Sequence, residues 1–225
     1  MELQQLALTV HQKLLDFYGY PEWRDPLPPL DELVATILSQ NTSDTNSFRA
    51  YQELKKRFPS WEAVRDAPPE AVIETIRTSG LANQKGPRIQ AVLREITAQR
   101  GELSLDFLKD MEVEPARAWL LSFNGVGPKT ASIVLQFSLN KPAFPVDTHV
   151  HRVTGRIGLR PEKMNAEAAH THMEALFPPE SYYPAHLNLI RLGREICQAR
   201  KPLCPACPLK EVCRYYAEHY LERGE

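Results

Sequence analysis

Leu121-Ser122-Phe123-Asn124-Gly125-Val126-Gly127-Pro128-Lys129-Thr130-Ala131 sets two glycines around one small apolar residue, with apolar segments on either side. The run before it, Ala116 to Leu121, and the run after it, with Ala131, Ile133, Val134 and Leu135, both read as apolar helices. Two glycines so close together permit a very tight turn. Pro128 fits the first position of the second helix, where its missing N–H is no loss. Backbone N–H groups of such a turn, next to a helix N-terminus, form an anion site. A solitary Gly-x-Gly would be no more than a helix–helix turn. Lys129 falls in the first turn of the second helix, where the helix dipole mildly disfavours a cation. Burial would disfavour it further. That is a poor position for an ordinary surface lysine and a good one for a neutral, nucleophilic amine.

Working outward, the chain reads as helical throughout. Leu3, Leu6, Ala7, Val10, Leu14 and Phe17 recur at helical spacing and predict an opening amphipathic helix. Pro26, Pro28 and Pro29 then block a helix, and a buried helix over Asp31 to Leu38 is entered through Leu30-Asp31. Ser60, Pro68-Pro69-Glu70 and Glu114-Pro115 mark further helix starts. Gly80 and Gly101 mark ends. No run of alternating β-branched residues, internal repeat or low-complexity tract interrupts the pattern, so the expected fold class is all-α.

Apolar residues make up 43% of the 225 and charged residues 24%, which excludes disordered and collagen-like chains. The formal net charge of −1 argues weakly against a general polyanion binder, but it hides local fields. From Leu189 to Arg214, six basic residues (Arg191, Arg194, Arg200, Lys201, Lys210, Arg214) face two acidic ones (Glu195, Glu211). The start of the chain has no secretion signal, and no apolar run approaches a membrane span. The expected setting is the cytoplasm, associated with the nucleoid, where thiols stay reduced.

All four cysteines, Cys197, Cys204, Cys207 and Cys213, lie in a C-x6-C-x2-C-x5-C segment. In a reducing compartment that favours metal ligands over disulfides. Clustered thiolates suit a soft metal or an iron–sulfur cluster. On chemistry alone, tetrahedral zinc and a [4Fe–4S] cube stand level. A metal there would be structural, closing a C-terminal region with little core of its own. A further motif, Pro145-Val146-Asp147-Thr148-His149, puts Asp147 before an apolar-periodic segment, where Asp serves well as a helix N-cap.

Taken together, these motifs resemble the endonuclease III family of helix-hairpin-helix DNA glycosylases, from about Asp31 to Arg214. The cysteine spacing matches that family's cluster segment, and the resemblance implies a [4Fe–4S] cluster. Gly125, Val126 and Gly127 match the hairpin that grips a DNA phosphate through its amides. Many relatives carry Leu-Pro where this chain has Phe123-Asn124. Lys129 matches the catalytic lysine, and Asp147 the catalytic aspartate, of relatives that cleave DNA after base removal. Ile37 to Asp44 resembles the family's Leu-Leu-Ser-x-Gln segment near DNA, with Gln40 and Asn41 as candidate contacts; the gap-filling glutamine of many relatives sits at the Asn41 position. Gly80 to Lys85 resembles a loop offering an apolar wedge, Leu81, and a basic contact, Lys85. Arg200 and Lys201 are candidate phosphate contacts.

The resemblance implies two helical domains flanking a DNA-binding cleft: a continuous six-helix domain over 26–141, and a discontinuous domain of 1–25 and 142–225 that holds the cluster. Lys129 and Asp147 would face each other across the cleft. The implied activity is that of a bifunctional DNA glycosylase and abasic-site lyase of base excision repair, a monomer acting on double-stranded DNA with damaged bases, oxidised pyrimidines most commonly, or abasic sites. A monofunctional mismatch glycosylase, which usually lacks the lysine, and a non-catalytic DNA-binding module are the rival readings.

Overall fold

The computed structural model describes residues 2–22 and 25–221. Among these no residue is in a β-strand, and the fold is all-α. No described helix is long and apolar enough to cross a membrane. The chain forms two compact units, one of residues 26–141 and one that combines 1–25 with 142–225.

The 26–141 unit contains α2 (Pro29–Ser39), α3 (Asp44–Arg57), α4 (Trp61–Asp66), α5 (Pro69–Thr75), α6 (Ala82–Arg100), α7 (Val113–Leu121) and α8 (Pro128–Ile133). These are seven α-helices where six were expected; α4 and α5 are short and meet at Ala67-Pro68, where proline starts the second of them. Local signals place most boundaries. Ser43 and Ser60 accept hydrogen bonds from Asn46 N–H and Ala63 N–H and so cap α3 and α4. Gly101 ends α6 at φ 76°, a left-handed C-cap. Two starts lie earlier than expected. α2 begins at Pro29 rather than Asp31, because a proline at the first position costs no backbone bond. α7 begins at Val113, leaving Pro115 in the first turn. Gly80 ends a single 3₁₀ turn, Arg77–Ser79, rather than an α-helix.

Asp31 organises one side of this unit. It is buried, and its carboxylate accepts from Tyr51 Oη at 2.6 Å and Trp61 Nε1 at 3.0 Å and pairs with Lys55 Nζ at 3.0 Å. Burial pushes its carboxyl pKa up, but the hydrogen bonds from Tyr51, Trp61 and Lys55 outweigh that and hold it below the usual carboxylate value.

The second unit contains α1 (Leu3–Tyr18), α9 (Thr148–Ile157), α10 (Ala166–Leu176) and α11 (Tyr182–Glu195), followed by short helical turns around the cysteines. Ala7, Val10 and Leu14 of α1 are fully buried against a core that includes Val150, Val153, Met173, Leu189 and Leu192. The expected stripe is narrower than the sequence suggests: Leu3 and Phe17 are 42% and 52% exposed.

Asp31→Asn should destabilise the protein by about 1–3 kcal/mol at neutral pH, because it weakens charge-assisted bonds in a buried site. The folded pKa is depressed, so this contribution is present above the unfolded value and lost as pH falls through the folded one. Urea denaturation at pH 7 and near pH 3 checks it: the gap between variant and wild type closes in acid.

Candidate nucleic-acid interface and metal centre

In the 26–141 unit the chain leaves α7 at Leu121, turns through Phe123 to Gly127 and enters α8 at Pro128. Phe123, where many relatives have leucine, is 1% exposed and packs edge-on against Trp119 with ring centroids 4.6 Å apart. The two glycines do different things. Gly125 has φ +89°, and a Cβ there would sit 2.3 Å from Cδ of Arg88, so any other residue at 125 is strained in its backbone and must displace the Arg88 side chain. Gly127 has φ −93° and open space where a Cβ would be. Its lack of a side chain leaves the backbone beside the α8 N-terminus open to an approaching group. Val126 is buried.

Lys129 is in the first turn of α8 and is exposed, not partly buried as expected. Beyond Ile133 the helix widens into a π-helical turn, Val134–Ser138. Lys129 belongs to the 26–141 unit and Asp147 to the other.

Asp147 is half-buried and is the N-cap of α9, with Oδ1 accepting from Val150 N–H at 2.7 Å. The segment leading to it is held from behind. His186 Nδ1 is 2.8 Å from the Pro145 carbonyl, and His170 Nδ1 is within hydrogen-bond distance of the Phe144 carbonyl and Val146 N–H.

Four of the residues expected at a DNA surface are placed differently from one another. Gln40 is turned inward: its amide donates to the Gly125 carbonyl at 3.3 Å and its Oε1 accepts from Arg88 at 3.0 Å. Its side chain is spent on holding the hairpin, which argues against the contact expected of it. Asn41 is exposed at φ 54°, and Leu81 is 48% exposed at φ 51°. Lys85, expected as a basic surface contact, is 1% exposed; Nζ donates to the carbonyls of Leu38 and Ser79, each at 2.7 Å. Burial, with the nearby Arg88 guanidinium adding to it, lowers its pKa to about 8. Arg88 itself escaped the sequence reading. Its spacing of three from Lys85 was visible, but its contact with Gly125 is made only in the fold.

The four cysteines of the second unit line one small pocket, together with apolar side chains such as Val153, Ile157, Leu192 and Leu209. No cysteine is in a disulfide. Among the described residues no three His, Cys, Asp or Glu side chains are grouped to hold a single metal ion. Burial raises the Cys207 thiol to about 11 and also raises Cys204 and Cys213. Four thiols around one apolar space fit a thiolate-held iron–sulfur cluster, whose binding would displace their protons. Arg156, also missed in the sequence, donates to Cys197 Sγ at 3.4 Å and to the carbonyls of Gln198 and Ala199 at 2.7 and 2.9 Å. Arg200 and Lys201 are exposed on the same loop. The basic character of the segment is partly cancelled, since Arg191 pairs with Glu195 and Arg214 with Glu218.

Known proteins share this arrangement. Residues 34–179 match the HhH-GPD superfamily of base excision DNA repair proteins. The chain is 33% identical to an endonuclease III of Thermotoga maritima over 88% of each protein. It is 37% identical to a putative DNA glycosylase of Arabidopsis thaliana over 76% of this chain, though it spans only 59% of that longer relative. A trapped covalent intermediate of endonuclease III with DNA superposes with a TM-score of 0.80 at 27% identity, covering 97% of this chain and 98% of that one. The chain belongs to the HhH-GPD superfamily, in its endonuclease III family of helix-hairpin-helix DNA glycosylases.

The two hairpin glycines should separate on substitution. Gly125→Ala should cost about 1–2 kcal/mol for the left-handed backbone alone, before the displacement of Arg88 is added. Gly127→Ala should leave stability unchanged or raise it by up to about 1 kcal/mol, because its backbone suits any residue. Urea midpoints of the two variants provide the comparison.

Proposed function

We propose that this protein is a bifunctional DNA glycosylase and abasic-site lyase of base excision repair, acting as a monomer on double-stranded DNA that carries damaged bases, oxidised pyrimidines foremost, or abasic sites. The observation that carries the reading is the exposed Lys129, two residues beyond an open Gly127 backbone, in a fold shared with an endonuclease III trapped covalently on DNA. The damaged nucleotide is turned out of the stack. The Nζ of Lys129 attacks C1′, and the base departs with the electrons of its glycosidic bond and takes up a proton. Loss of the second amine proton and opening of the sugar ring leave an imine between Nζ and C1′. Removal of a C2′ proton then expels the 3′ phosphate, and water releases the enzyme. Asp147 stabilises the positive charge that grows on the sugar and helps activate the amine. Among the described residues its cap bond engages Oδ1, which leaves Oδ2 for this work. Phosphates would be held by the backbone of Gly125, Val126 and Gly127 and by Arg200 and Lys201.

Lys129→Gln keeps the length and helix propensity but cannot form an imine. It should bind abasic DNA, give no borohydride-trapped adduct and cleave almost nothing. Asp147→Asn should keep the cap and slow base release on the order of a hundredfold, while trapping on a ready-made abasic site suffers less. A trapped complex from Lys129→Gln would assign the nucleophile to another amine.

The same reading gives Cys197, Cys204, Cys207 and Cys213 a [4Fe–4S] cluster. When bound it supplies a structural cross-link to a segment with little core of its own. Purified protein should be yellow-brown with four irons per chain. Cys204→Ser should lose iron and solubility together, whereas colourless, active protein with stoichiometric zinc would overturn the assignment.

A further inference from the structure

A lysine that is 1% exposed needs a reason, because its ammonium must be taken out of water. Among the described residues Lys85 has no carboxylate partner; its ammonium donates to two carbonyl oxygens, Leu38 and Ser79, both at 2.7 Å. Both carbonyls close an element. Leu38 is in the last turn of α2, and Ser79 is the last residue of the 3₁₀ turn. Each is followed within three residues by an exposed non-glycine residue in the left-handed region, Asn41 at φ 54° and Leu81 at φ 51°. That backbone is strained for a non-glycine residue, and more so for leucine than for asparagine. It persists where surrounding structure fixes it, and one ammonium fixes both loops here. One turn further along α6, Arg88 takes Gln40 and lies against Gly125, so the same helix face also reaches the hairpin.

We propose that Lys85 is a positioning residue: by joining the carbonyls of Leu38 and Ser79 it sets the separation of Asn41 and Leu81, the two side chains presented to the duplex where a base has been turned out. The inference rests on the DNA-repair reading above for what those loops meet. It assigns Lys85 no contact with DNA. Its length is the relevant property, since a shorter donor would draw the loops together and an apolar chain would release them.

The test uses full-length protein and a duplex holding a tetrahydrofuran abasic analogue opposite 2-aminopurine, read at saturating protein so that affinity does not enter. Wild-type protein should raise 2-aminopurine emission as the opposite base is unstacked. Lys85→Met, which keeps the apolar stem, should lose most of that rise. Leu81→Ala should lose it too, and adding Lys85→Met to Leu81→Ala should cost nothing further, because Lys85 acts on the opposite base through the placing of Leu81. Wild-type emission from Lys85→Met, or losses that add, would overturn the proposal. If Lys85→Met does not fold, Lys85→Gln decides: it keeps two N–H donors on a shorter arm and should also reduce emission, and an undiminished rise overturns the idea. Wild-type protein that binds without raising emission overturns it as well. Wild-type protein that raises emission yet releases no base and forms no borohydride adduct would instead sink the enzymatic reading and leave the role of Lys85 standing.

Discussion

A helix end leaves four backbone groups without partners, and in this chain the candidate functional residues sit at helix ends. Lys129 and Gly127 stand at the start of α8, Asp147 at the start of α9, Gln40 and Asn41 after α2, and Leu81 before α6. Each end needs donors or acceptors from somewhere, and the source decides how firmly the loop is held. Asp147 supplies its own, through Val150 N–H. The carbonyls of Leu38 and Ser79 are supplied by Lys85, and those of Gln198 and Ala199 by Arg156. A side chain reaching across the fold in this way converts a weak local terminus into a fixed point, at the cost of desolvating a charge.

The glycines of the hairpin divide the same labour. Gly125 is filled against Arg88 and serves the fold; Gly127 faces open space and leaves its backbone accessible. Gln40 belongs with Gly125, since its amide and oxygen are both committed within the protein. Asn41, in the place where many relatives carry a glutamine, is the exposed one of the pair.

The features legible in the sequence were those that act over a few residues. Ser60 caps α4 through Ala63, Pro69 opens α5, Gly101 closes α6, and Cys spacing announces a ligand set without needing the fold. Lys85 was misread as a surface contact because its burial depends on the carbonyls of Leu38 and Ser79 reaching α6, a meeting no local pattern encodes. Lys129, expected to be partly buried, is exposed, while Ala131 and Val134 on the same segment are buried in the core. The hairpin motif told that a turn was present but not that only one of its glycines needs a left-handed backbone.

The discontinuous unit has a consequence for the order in which the chain acquires structure. α1 has its buried face, Ala7, Val10 and Leu14, completed by residues of α9, α10 and α11. During synthesis those partners emerge only after the whole of 26–141 has been made. The 26–141 segment is continuous and can fold as its own unit meanwhile. Until then the α1 segment has no tertiary partner for its apolar stripe, and its docking is a long-range closure. In that interval Ala7, Val10 and Leu14 are an uncovered apolar surface of the kind that invites aggregation or chaperone capture.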